Sequence, residues 1–131
     1  MPTFKRFEDI VAWQKARELT RLAYQTTAEG RFAKDFGLRD QLQRSCVSIM
    51  ANIAEGCARR SDRDFAHFLN IARASVAETQ SHLYVAVDLG YIDETAFLKL
   101  YSLLDEVSRM TIALAQHLQG DGPTRQTRQT R

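Results

Sequence analysis

Residues 45–56 read SCVSIMANIAEG, and how this stretch is read decides the fold. It contains no proline and is apolar almost throughout, yet Ser45, Ser48, Asn52 and Glu55 interrupt it at alternating steps of three and four. With about 100° of rotation per helical residue, Gln41, Ser45, Ser48, Asn52 and Glu55 fall on one narrow stripe. Leu42, Cys46, Ile49 and Ile53 flank it on one side, while Val47, Met50, Ala51 and Ala54 carry the apolar surface round the other. The apolar arc spans roughly 200°, against the ~100° stripe of an ordinary surface helix. One core does not cover an arc that wide, so the pattern predicts a homo-oligomer with this helix at or near the interface.

The stripe itself has three readings. It is the solvated side of a core helix, a hydrogen-bonded seam, or part of a ligand site. It carries no Lys or Arg, which a solvated face would normally show. Ser75, Glu78 and His82, with Thr79 alongside, supply a second polar line at helical spacing further along. Hydroxyls facing carboxylates across two helices suit a structural network of Ser48, Asn52, Glu55, Ser75 and Glu78, because buried polar groups need partners. The same geometry leaves open a Glu55–Glu78 carboxylate pair binding a small polar ligand or a metal.

Outward from this stretch the chain reads as four helices. The first spans about Phe7 to Ala28, with Ala12, Ala16, Leu19, Ala23 and Thr26 at helical spacing. Gly30 and Gly37 mark a break, and the second helix runs from near Leu38 to about Gly56. Ser61, with Asp64 three residues on, predicts the N-cap of the third, whose face is Phe65, Phe68, Leu69, Ala72, Val76, Thr79, Leu83, Ala86 and Val87. Gly90 is placed to end it and Asp93 to cap the fourth. That last helix presents Phe97, Leu100, Leu104, Val107, Met110, Leu114 and Leu118 and stops at Gly120. Short connections between long helices predict an all-α, antiparallel up-down-up-down four-helix bundle over residues 1–122, followed by a flexible basic tail, 123–131.

The 131 residues carry 18 basic and 16 acidic side chains, and without Arg125, Arg128 and Arg131 the basic count falls to 15. The slight basicity belongs to the tail. Cys46 and Cys57 sit roughly 16 Å apart on one helix, out of disulfide reach, which points to free thiols and a reducing, cytoplasmic setting. No apolar run is long enough to cross a membrane. His67, His82 and His117 are scattered singly and match no metal-ligand spacing. There is no Gly-rich phosphate loop and no nucleophile–base pair, so no enzyme, cofactor or metal centre is expected.

The segment LRDQLQRSCVSIMANIAEGCARRSDRDFAHFLNIARASVAET, together with FEDIVAWQKARELT before it and LGYID after it, resembles a four-helix-bundle family. That family includes the proteins encoded in intervening sequences of bacterial large-subunit ribosomal RNA, and is similar to the accessory variability protein of diversity-generating retroelements. The resemblance covers residues 4 to 118. It implies a ring-shaped homopentamer, shared polar positions at Asn52, Glu55, Ser75 and Glu78, and, in the retroelement relatives, a basic ring surface associated with reverse transcriptase and nucleic acid. Met50 and Ala33 stand where the family often has proline.

An up-down bundle gathers Lys5, Arg6, Arg59, Arg60, Arg63 and the tail arginines at one end, offset in part by Asp62, Asp64 and Asp121. Repeated round a ring, that end forms a positive annulus. Arg59, Arg60 and Arg63 are therefore the candidate contacts to RNA or DNA. Binding is expected to be sequence-nonspecific, in a scaffold or accessory protein that holds nucleic acid or a nucleic-acid enzyme.

Overall fold

The computed structural model describes residues 4–120. Among these there are four α-helices and no strand: α1 (Val11–Thr27), α2 (Phe36–Cys57), α3 (Asp62–Asp88) and α4 (Glu94–Leu118), with single 3-10 turns at Phe7–Asp9 and Phe32–Lys34. The predicted tail, with Arg125, Arg128 and Arg131, lies outside the described residues.

Capping chemistry sets most of the boundaries. Asp35, Ser61 and Asp93 each accept a hydrogen bond from the backbone N–H three residues on, at 3.1, 3.1 and 2.8 Å. Each thereby satisfies one of the free donors at a helix start. The Asp35 cap moves the start of α2 to Phe36, so Gly37 lies inside the helix instead of breaking it. At the start of the chain the helix begins later than predicted: Ile10 adopts an extended conformation between the first 3-10 turn and α1, and its side chain is buried. Gly90 (φ 73°) closes α3, with Tyr91 N–H on Ala86 C=O and Gly90 N–H on Val87 C=O, the paired bonds of a Schellman motif.

Each helix packs against two others, α1 on α2 and α4, α3 on α2 and α4, closing a square. The loops show the alternation of direction. Arg31, after α1, donates to the backbone carbonyl of Leu89 at the end of α3 (3.0 Å). Tyr91 Oη donates to Asp35 at 2.9 Å and stacks obliquely on Phe32. The α1–α2 and α3–α4 loops therefore share one pole, while Phe4 meets Phe65 beside the α2–α3 turn at the other.

The core fills as the helical spacing predicts, with Ala12, Ala16 and Leu19 meeting Leu42, Ile49, Ile53, Leu69, Val76, Leu83, Leu104 and Val107. Polar residues supply the corrections. Thr27, not Thr26, is the buried threonine of α1, and it accepts from Gln43 Nε2 at 2.9 Å. Thr111 is buried because its hydroxyl donates to the Ser108 carbonyl within its own helix. Phe68 and Val87 lie only part-buried at the edges of the α3 face.

Candidate nucleic-acid interface and polar seam

The α2–α3 contact carries the polar stripe. Thr79 Oγ1 lies 2.7 Å from both Ser45 Oγ and the Ser75 carbonyl oxygen, and Ser45 Oγ donates to the Leu42 carbonyl at 3.1 Å. One turn on, the hydroxyls of Ser48 and Ser75 are 2.9 Å apart, and Asn52 Nδ2 reaches the Ser48 carbonyl (2.8 Å) and hydroxyl (3.1 Å). Small side chains let the two helices come close, and each buried hydroxyl finds an oxygen partner. The seam is thus a line of hydroxyls, buried at Ser45, Ser75 and Thr79 and half-exposed at Ser48 and Asn52. Of the expected network, Ser48, Asn52 and Ser75 are brought together, joined by Ser45 and Thr79.

Glu55 and Glu78 are not part of it. The pairs Ser45–Thr79 and Ser48–Ser75 set an antiparallel register that places Glu55 level with Phe68 and Glu78 level with Ser45. That leaves roughly 15 Å of helical rise between the carboxylates. Each bonds locally instead, Glu55 to Arg59 in the turn that follows α2 at 2.9 Å and Glu78 to His82 one turn along α3 at 3.3 Å. The sequence reading of a Glu55–Glu78 pair holding one ion or ligand is corrected by this register. No cluster of three or more His, Cys, Asp or Glu side chains suited to a metal forms among the described residues.

The cysteines are poor nucleophiles. Burial pushes the Cys46 thiol up to about 12, and Cys57 is also raised, by burial and then by Asp9 and Glu8. A thiolate is the reactive form, so neither is activated at neutral pH. Both thiols are free.

The α2–α3 turn carries Arg59, Arg60 and Arg63, all exposed. They differ in state. The Arg59 guanidinium bonds Glu55 and lies over the Phe68 ring, 4.7 Å from its centroid, a cation–π contact. Arg60 and Arg63 form no ion pair among the described residues. Nearby, Arg6 is held by Glu8 at 2.8 Å, and Lys5 borders a depression of about 300 Å³ lined also by Phe7, Ala54, Cys57 and Ala58. Of the basic residues predicted for this pole that lie among the described residues, Arg60, Arg63 and Lys5 are left without an ion pair, interleaved with Asp62 and Asp64. The aromatic backing of Arg59 was invisible to spacing arguments, because Phe68 reaches it across a turn and not along one helix face.

On the outer side of α2, Val47 is 42% exposed and Ala51 is exposed beside it. Ile71 and Ala74 of α3 are exposed as well. No helix among the described residues is long and apolar enough to cross a membrane.

A family model described as 23S rRNA-intervening sequence protein matches residues 8–113. Among solved structures, this chain is similar to a protein of unknown function from the S23 ribosomal protein family of Bacteroides thetaiotaomicron VPI-5482. The TM-score is 0.73 and the identity 27%, over 80% of this chain and 98% of that one. No curated protein matches.

Proposed function

The chain belongs to the 23S rRNA-intervening sequence protein family, and from that premise we propose that it is a non-enzymatic accessory or scaffold protein whose α2–α3 pole holds nucleic acid, or an enzyme that works on it. The observation that carries this reading is the exposed Arg59–Arg63 turn, where two of three arginines have no carboxylate partner among the described residues. Unpaired guanidinium groups are the ordinary ligands of phosphate, and a short turn between two helices presents them together. The contact is to the backbone, so it does not select sequence.

Assembly multiplies the effect. The exposed Val47, Ala51, Ile71 and Ala74 support a homo-oligomer, with a ring of five as the form the family resemblance implies. Copies of a weak basic pole held side by side gain avidity that one copy lacks. Two free thiols suit a reducing cytoplasm.

The test is fluorescence anisotropy of structured RNA and of duplex DNA at several salt concentrations, with RNA first because the family's name ties it to a ribosomal RNA gene. Binding should weaken linearly in log salt. Arg60→Ala with Arg63→Ala should lower that slope by about one unit for each phosphate no longer neutralised. No binding at low salt overturns the proposal.

A further inference from the structure

We propose that Arg59 is a stacking platform for an unpaired nucleobase, so that the ligand of this pole is a single-stranded nucleic acid. This rests on the nucleic-acid reading above and assigns Arg59 a different task from its neighbours. Three contacts point to it. Glu55 Oε2 accepts from Arg59 Nη2 at 2.9 Å and fixes the edge of the guanidinium. Phe68 backs one face at 4.7 Å, and the His67 ring meets Phe68 edge-on at 5.5 Å, steadying it in turn. The side chain nevertheless remains 45% exposed.

An arginine bonded to a carboxylate has much of its charge offset, and one edge of its donor fork is taken, so it is a poor phosphate ligand. Its outer face stays a flat, weakly hydrated surface of the kind that stacks on bases. In a duplex both faces of each base are covered by neighbours, whereas a single strand offers them free. Arg60 and Arg63, exposed on the same turn and without ion pairs among the described residues, are placed for the flanking phosphates.

The experiment compares an unstructured single-stranded RNA carrying one 2-aminopurine with its fully paired duplex, against the wild type and Arg59→Lys. Lysine keeps the charge and can still reach Glu55, but it has no plane. The single strand should bind tighter than the duplex, and its 2-aminopurine emission should rise as the base leaves its stacked neighbours for Arg59. Arg59→Lys should weaken single-strand binding roughly tenfold and abolish the rise, while duplex affinity and the salt slope stay unchanged. Equal affinity for single strand and duplex, or an Arg59→Lys variant that binds and raises the emission like the wild type, overturns the platform and leaves the proposed function standing. Absence of any binding at low salt overturns both.

Discussion

Gly56 is buried in α2 against Phe65 and Phe68 of α3, and replacing it with alanine sets two effects of known size against each other. Within a helix, alanine is favoured over glycine by about 1 kcal/mol, and less than that in the last turn, where Gly56 lies one residue before the end of α2. Against this, an added Cβ would stand 2.9 Å from both Phe68 Cβ and Phe65 Cδ1 and 3.2 Å from the Phe65 carbonyl oxygen. Two of those three atoms are tied to the α3 backbone, so relief requires the helices to part. Overpacking of this kind costs about 1–3 kcal/mol, and the clash should win by roughly 1–2 kcal/mol. Gly37 is the internal control: it is exposed in the first turn of the same helix, and a Cβ there meets only Asp35 Oδ1 at 3.8 Å. Gly37→Ala should therefore stabilise by about 0.5 kcal/mol or more. Thermal unfolding followed by circular dichroism, at one fixed protein concentration, should show Gly56→Ala melting several degrees lower and Gly37→Ala slightly higher. A Gly56→Ala variant as stable as the wild type, or shifts of the same sign in both, would refute the claim that helix approach at Gly56 limits the packing.

Three other outcomes are expected. Ser45→Ala and Thr79→Val should each cost about 1 kcal/mol in denaturant unfolding, while the double variant costs less than their sum, because the second change removes a group whose partner is already gone; strict additivity would dissolve the seam as a unit. Stability should decline between the ordinary thiol value of 9.0 and about 12. In that window the unfolded chain releases the Cys46 proton and the folded one keeps it, at up to about 1.4 kcal/mol per pH unit. Cys46→Ala should flatten this part of the profile relative to the wild type, and unchanged curvature would show that the thiol does not contribute. In the homo-oligomer proposed above, Val47→Glu should shift the protein to a smaller species in sedimentation velocity, since a charge on an apolar subunit contact must be desolvated unpaired; an unaltered distribution would refute an interface at this face, and a monomeric wild type the assembly itself.

Much of the bundle was legible because its helices announce themselves chemically. Ser61 and Asp93 are caps that need only the next turn, and Gly90 needs only its own φ, so local sequence suffices. Asp35 was missed because two glycines around it looked like a break, whereas a capped first turn tolerates Gly37. Thr27 and Thr111 were missed for a different reason: their hydroxyls are satisfied by Gln43 and by the Ser108 carbonyl, so they behave as core residues while reading as polar. In the candidate site, the stripe of Ser45, Ser48 and Asn52 was legible from one wheel. Its facing partners depended on register, which no single helix encodes. That is why Ser75 and Thr79 joined the seam while Glu55 and Glu78 fell apart along the axis. The Arg59–Phe68 contact crosses a turn and had no periodic signal at all.

The clasp of Arg31 on Leu89 and Tyr91 on Asp35 also has a practical bearing on how the molecule can be handled. It joins two loops at one pole, and α4, at 25 residues, puts about 37 Å between that pole and Gly120. A group attached beside Phe4 or Gly120, the first and last described residues, stands at the pole of Arg59, Arg60 and Arg63, where it would crowd a ligand of the proposed interface and add its own charge. A dye or surface anchor placed at the clasped pole, on exposed Glu29 for instance, keeps a full helix length away. The two poles thus separate a point of attachment from the proposed interface along one axis.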